Sequence, residues 1–228
     1  MDTTCSEHPF AASPDEVPRL FRHIRYGLRE LDVLARTGCI LEEELRDFLS
    51  VYHTRLFPVC ATLEMLRYRQ QHGVFPPVPP RMEPAVLPAH IGPDRLEQRR
   101  KSLFRTLVKA CHPDSADAAQ PQPPGGLAAV YKAKTISTLW MLEMMRASAT
   151  LNRTALAPYL EAQRDAIGKA MRDARARNAA IMRSEPWRLK ENVLDAALEG
   201  TDLIGRIQRR IEAQIAALQQ HHPLRLTA

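Results

Sequence analysis

Aromatic residues make up only 6% of this 228-residue chain, and it has nine glycines and four cysteines. So few aromatic side chains and glycines, beside abundant Ala, Leu, Arg and Glu in the periodic segments, favour helix over sheet. No period-two alternation appears anywhere in the chain. The cysteines (Cys5, Cys39, Cys60 and Cys111) are scattered, with no CxxC pair and no histidine at metal-ligand spacing. That pattern excludes a zinc ribbon or a disulfide framework and fits buried, reduced thiols. No apolar run is long enough to cross a membrane, and the acidic start MDTTCSEHPFAASPDE is not a signal peptide. A cytoplasmic protein is expected. There is no glycine-rich phosphate loop, nucleophile elbow or HExxH helix. Enzymatic activity, a cofactor and a bound metal are therefore not expected. His112 and Asp114 suggest a base with an orienting carboxylate, but Pro113 stands between them and no nucleophile is near in sequence.

What is present is helical periodicity. Ser13-Pro14-Asp15-Glu16 reads as a helix start, and Leu20, Ile24, Leu28, Leu31 and Leu34 form an apolar stripe ending before Gly38. A second helix is expected from Leu41 to Gln71, interrupted by Pro58 and closed by Gly73, so that residues 1–73 form an antiparallel helical hairpin. Residues 1–12 are expected to lie outside it. Residues 74–93 form a proline-rich linker, with seven prolines between Phe75 and Pro93. A helix is expected from Leu127 to Ala147, with Trp140 and its neighbouring methionines as core. Another runs from Ala155 to Arg183, capped by Asn152 or Thr154. A near-heptad stripe then passes through Leu194, Leu198, Ile204, Ile207, Ile211, Ile215 and Leu218. Gly200-Thr201-Asp202 either weakens that helix or breaks it, with Thr201 as a new cap. The stripe needs a partner, either the N-terminal hairpin or another copy of the chain. Residues 221–228 are left as a tail. The fold class expected is all-α.

The net charge of +6 is unevenly spread. Residues 94–111 carry six basic and two acidic groups, and residues 164–190 eight basic and three acidic. Two basic foci point to acidic partners, protein or nucleic acid. The first focus is the more informative. In RLEQRRKSLFRTLVKACHPD, Leu96, Leu103, Phe104, Leu107, Val108 and Cys111 share one helix face. Lys101, Arg105 and Lys109 follow at i, i+4 and i+8 on another. Pro113 drives His112 out of helical geometry, so the helix ends there and displays His112, Pro113 and Asp114 at a corner. The Asp114 carboxylate sits near the negative end of the helix dipole, which points to a cation from outside.

This stretch resembles the J-domain family, co-chaperones of DnaK-type heat-shock chaperones, whose second helix and loop read like A-Y-R-K-L-A-L-K-Y-H-P-D. Phe104 falls on the family's aromatic position, Arg105 on its basic one, Leu107 and Val108 on core positions, and His112-Pro113-Asp114 on the signature. The resemblance covers residues 94–146 and is specific in its first half. Cys111 stands where an aromatic is usual, Arg100 where an apolar residue is usual, and the expected first helix is replaced by the proline tract. The resemblance implies that residues 94–147 form a J-like antiparallel helix pair, with Val130, Tyr131 and Ile136 nearest the seam. It also implies that His112, Pro113, Asp114, Lys101, Arg105 and Lys109 dock on a DnaK-type chaperone and stimulate its ATPase, Asp114 pairing with an arginine of that partner. Two other readings stand beside it: a helical scaffold that self-associates through its C-terminal coiled-coil stripe, and a nucleic-acid-binding protein using both basic foci.

Overall fold

The computed structural model describes residues 16–78, 80, 94–112 and 121–221. Those residues form seven α-helices and no strand: α1 Glu16–His72, α2 Arg95–Cys111, α3 Gly126–Lys132, α4 Ile136–Thr150, α5 Arg153–Arg183, α6 Glu185–Leu198 and α7 Leu203–His221. The all-α fold is as expected. The helix start at Ser13, most of the proline-rich linker and the C-terminal tail beyond His221 lie outside the described residues. No helix among the described residues is long and apolar enough to cross a membrane.

The chain divides into two compact units that are not consecutive in sequence. The first takes the described residues up to Cys39 and those from Gly92 to Asn178. The second takes those from Ile40 to Ile91 and from Ala179 onward. The boundary falls inside α1 and inside α5, so the expected order of N-terminal hairpin, linker, helix pair and C-terminal region is not the arrangement found.

The N-terminal hairpin is itself replaced by one 57-residue helix. Gly38, expected as a left-handed stop, has ordinary helical backbone; among the described residues the positive-φ glycines are Gly73, Gly125, Gly126 and Gly200. Its small size serves a different purpose. A Cβ at Gly38 would lie 2.8 Å from Asn178 Oδ1 on α5, and the Asn178 amide donates to the Leu34 carbonyl at 3.1 Å. One turn of α1 is thus approached by α5 at a distance only glycine allows. Gly73, with φ of 74°, does close the helix, its N–H reaching the Arg69 carbonyl at 2.8 Å.

In the first unit, Leu20, Ile24, Leu28 and Leu31 of α1 are buried together with Leu103 and Leu107 of α2, Trp140 and Met144 of α4, and Leu160 and Ile167 of α5. Removing each such side chain from water contributes roughly 1.5–3 kcal/mol. Leu34–Asn178 and Glu30–Arg175 contacts, 144 and 145 residues apart, show that α1 and α5 run in the same direction here. The helix expected from Leu127 to Ala147 is two. Ala133 turns extended, and Thr135 caps α4 by accepting from the Thr138 N–H at 3.2 Å. Local hydroxyl-to-backbone bonding competes with a continuous helix at this Thr-Ile-Ser-Thr segment.

In the second unit, Leu45 and Leu49 of α1 pack with Ile181 and Trp187. Arg55 forms a two-point pair with Asp202, at 2.9 and 3.3 Å, and Arg67 donates to Gln214 at 3.3 Å. Both pairs are 147 residues apart, so α7 lies along α1 in the same direction. The C-terminal stripe therefore has an intramolecular partner for part of its length. Ile204 is 4% exposed, whereas Leu198 is 88% exposed and Leu194 also faces solvent. The helix breaks at Gly200, and the new cap is Asp202, which accepts from the Gly205 N–H at 2.9 Å; Thr201 does not take that role. The break swings the earlier leucines out of the seam that the uninterrupted heptad would have kept.

Candidate functional site

The basic helix forms where its sequence places it. Asp94 caps it, accepting from the N–H groups of Leu96 and Glu97 at 2.9 and 3.1 Å. Leu103, Leu107 and Cys111 are buried, and Leu96, Phe104 and Val108 pack partly against the same core. The opposite side carries the cations. Lys101, Arg105 and Lys109 are all exposed. Lys101 lies 3.6 Å from Glu97, while Arg105 and Lys109 form no ion pair with a described residue. His112 is extended (φ −71°, ψ 132°) and exposed, in keeping with a proline after it. Pro113 and Asp114 lie outside the described residues.

Arg100, the residue out of place for a core position, is accommodated by charge. It grips Glu97 with Nε and a terminal nitrogen at 2.6 and 2.8 Å. The Arg100 hydrogen bond holds the Glu97 carboxyl below its usual range, partly opposed by burial and helped by the charges of Arg100 and Lys101.

The expected antiparallel pair is not what α2 meets. It packs against two separate helices, α3 and α4. Phe104 meets the Tyr131 ring of α3 edge-on at 5.8 Å, and Arg99 lies over the Trp140 ring of α4 at 5.1 Å. Cys111, at the end of α2, is within electrostatic reach of Glu143 and Arg146 in the middle of α4, where an antiparallel hairpin would place the start of the second helix. The bend at Ala133 separates α3 from α4 and causes this difference. Val130 and Ile136 are buried in the unit, as their seam positions require, while Tyr131 is mostly exposed.

Sequence reasoning missed the polar group beneath α2. Arg146 and Glu143 form a two-point pair at 3.0 and 3.1 Å with most of both side chains covered. Trp140 Nε1 donates to Gln163 at 2.8 Å. The Tyr159 hydroxyl is buried with no hydrogen-bond partner among the described residues, and its pKa is pushed up to about 12, chiefly by burial and then by the Glu143 charge. Burial likewise raises the Cys111 thiol, which Arg146 lowers and Glu143 raises. The i, i+3 spacing of Glu143 and Arg146 was visible in the sequence, but its burial under α2 was not.

Among the described residues no cluster of histidine, cysteine or carboxylate side chains is arranged to hold a metal. The arrangement presents an exposed cationic row, backed by a packed core. Compared with protein families, with characterised proteins and with solved structures, the chain matches none.

Proposed function

We propose that the protein acts as a J-domain-like co-chaperone, docking through α2 on a DnaK-type chaperone and stimulating its ATPase. The observation that carries this reading is the two-sidedness of α2. Leu103, Leu107 and Cys111 anchor it, while Lys101, Arg105 and Lys109 face outward in a row that leads to His112. A rigidly seated helix with an outward cationic row favours fast electrostatic docking on an acidic protein surface. The His112-Pro113-Asp114 sequence would place a carboxylate at the end of that row. In this reading the chain itself performs no catalysis and works in the cytoplasm beside its partner.

The test is a single-turnover ATPase measurement with a DnaK-type chaperone, paired with a melting curve for each variant. Arg105→Glu should slow association, with a defect that shrinks as salt rises. Asp114→Asn should be more severe, because a charge-assisted pair is roughly twice as strong as a neutral hydrogen bond. Neither substitution should shift the melting temperature appreciably. Wild-type protein that stimulates no such ATPase overturns the proposal. One observation then favours a helical scaffold: the long same-direction seam of α1 and α7, bracketed by Arg55–Asp202 and Arg67–Gln214.

A further inference from the structure

A second cationic face stands on α1, and it belongs to neither basic focus that the sequence made prominent. Arg22, Tyr26, Arg29, Val33 and Arg36 follow one another at steps of four, three, four and three, which sets them in one line along the helix. Arg25 lies beside that line. The opposite side of the same turns (Leu20, Ile24, Leu28 and Leu31) is buried in the first unit's core, so the line faces solvent. All four arginines are exposed, and none forms a hydrogen bond or ion pair with a described residue.

The two acids within these turns are turned to other work. Glu30 pairs with Arg175, and Asp32 accepts from the Ser137 hydroxyl. The row therefore carries positive charge with no carboxylate in line. By contrast, the arginine-rich α5 is partly neutralised, Arg164 pairing with Asp165 at 3.0 Å and Arg175 with Glu30. Tyr26, interleaved between Arg22 and Arg29, is 72% exposed. A large aromatic ring left in water amid unpaired guanidinium groups has no packing role.

We infer that this face binds single-stranded nucleic acid, the arginines meeting successive phosphates and the Tyr26 ring stacking on an unpaired base. An acidic peptide would satisfy the arginines but leave the ring without a flat partner. A duplex would offer phosphates but keep its bases stacked on one another. This inference is independent of the docking function proposed for α2.

The test is fluorescence anisotropy of a labelled twelve-nucleotide oligothymidine with the full chain. Four phosphate contacts on a single strand predict an affinity loss of about 50-fold between 50 and 200 mM salt, from a slope of about −0.7 per contact. Arg25→Gln with Arg29→Gln should cut that loss to about sevenfold, while the lysine versions at both positions keep the full salt dependence. Tyr26→Ala should weaken binding by about fivefold or more with an unchanged salt slope. Lys101→Gln with Arg105→Gln and Lys109→Gln should leave binding intact. The inference is overturned by no binding at 50 mM salt, or by loss of binding in the α2 variant alone. It is also overturned if duplex, polyglutamate or phosphatidylserine vesicles bind as well as the oligonucleotide and Tyr26→Ala changes nothing.

Discussion

Replacing Gly38 by alanine pits two local effects against each other. A glycine inside a helix costs about 1 kcal/mol relative to alanine, so the substitution should stabilise α1 by that amount if nothing is in the way. Something is. The new Cβ would stand 2.8 Å from Asn178 Oδ1, and Asn178 is buried with its amide on the Leu34 carbonyl. Displacing it leaves a buried amide without its partner, at a cost of about 1–3 kcal/mol. The net expectation is a loss of about 1 kcal/mol, or roughly 2–4 °C in Tm for a chain of this size. The decisive comparison is a double-mutant cycle by urea denaturation. In the Asn178→Ala background the clash is gone, and Gly38→Ala should then stabilise by up to about 1 kcal/mol. If Gly38→Ala stabilises the parent as much as it stabilises Asn178→Ala, the close approach of α5 has no energetic weight and the account of the unbroken helix fails.

The split C-terminal stripe gives a second contrast. Ile204→Ala should cost about 2–4 kcal/mol and Leu198→Ala no more than about 0.5, since one side chain is covered and the other is in water; equal losses in urea denaturation would contradict the break at Gly200. The buried Tyr159 hydroxyl should show in an ultraviolet titration as one phenol withheld until about pH 12. Because the folded state keeps a proton that the unfolded state releases from about pH 10, this residue's contribution leaves stability unchanged below pH 10 and erodes it as pH rises from 10 to 12. Tyr159→Phe should remove that part of the alkaline loss, and a pH dependence identical to that of wild type would refute the assignment.

The basic helix was legible residue by residue because its signals are local: a cap, an apolar face at helical spacing and a proline as terminator. Gly38 misled because glycine is a helix punctuator in a neutral context. At Gly38 the Asn178 side chain of α5, distant in sequence, packs against the helical backbone, and no periodicity within α1 could report that. The bend at Ala133 was readable in principle, since Thr135 has a partner N–H three residues on, but the apolar period runs through it. The Arg22–Arg36 line was hidden by its opposite face, whose leucines dominate the reading of the same turns. Tyr26 drew no notice because a tyrosine among helical positions reads first as packing, and only its exposure separates the two roles.

The interleaving of the two units sets a schedule for the growing chain. Residues 40–72 of α1 leave the ribosome well before the partners of Arg55 and Arg67, which are synthesised 147 residues later. At about 5–20 residues per second that delay is roughly 7–30 s. Throughout it, Leu45, Leu49, Leu56 and Leu63, buried in the finished second unit, have no chain to cover them. The first unit is completed at an earlier point in the chain, because its core ends at Ile167, ahead of Ile181 and Trp187 of the second. Folding during synthesis therefore proceeds from a unit completed within the chain to one closed by its last two helices, and the uncovered leucine row is the segment most in need of shelter in the interval.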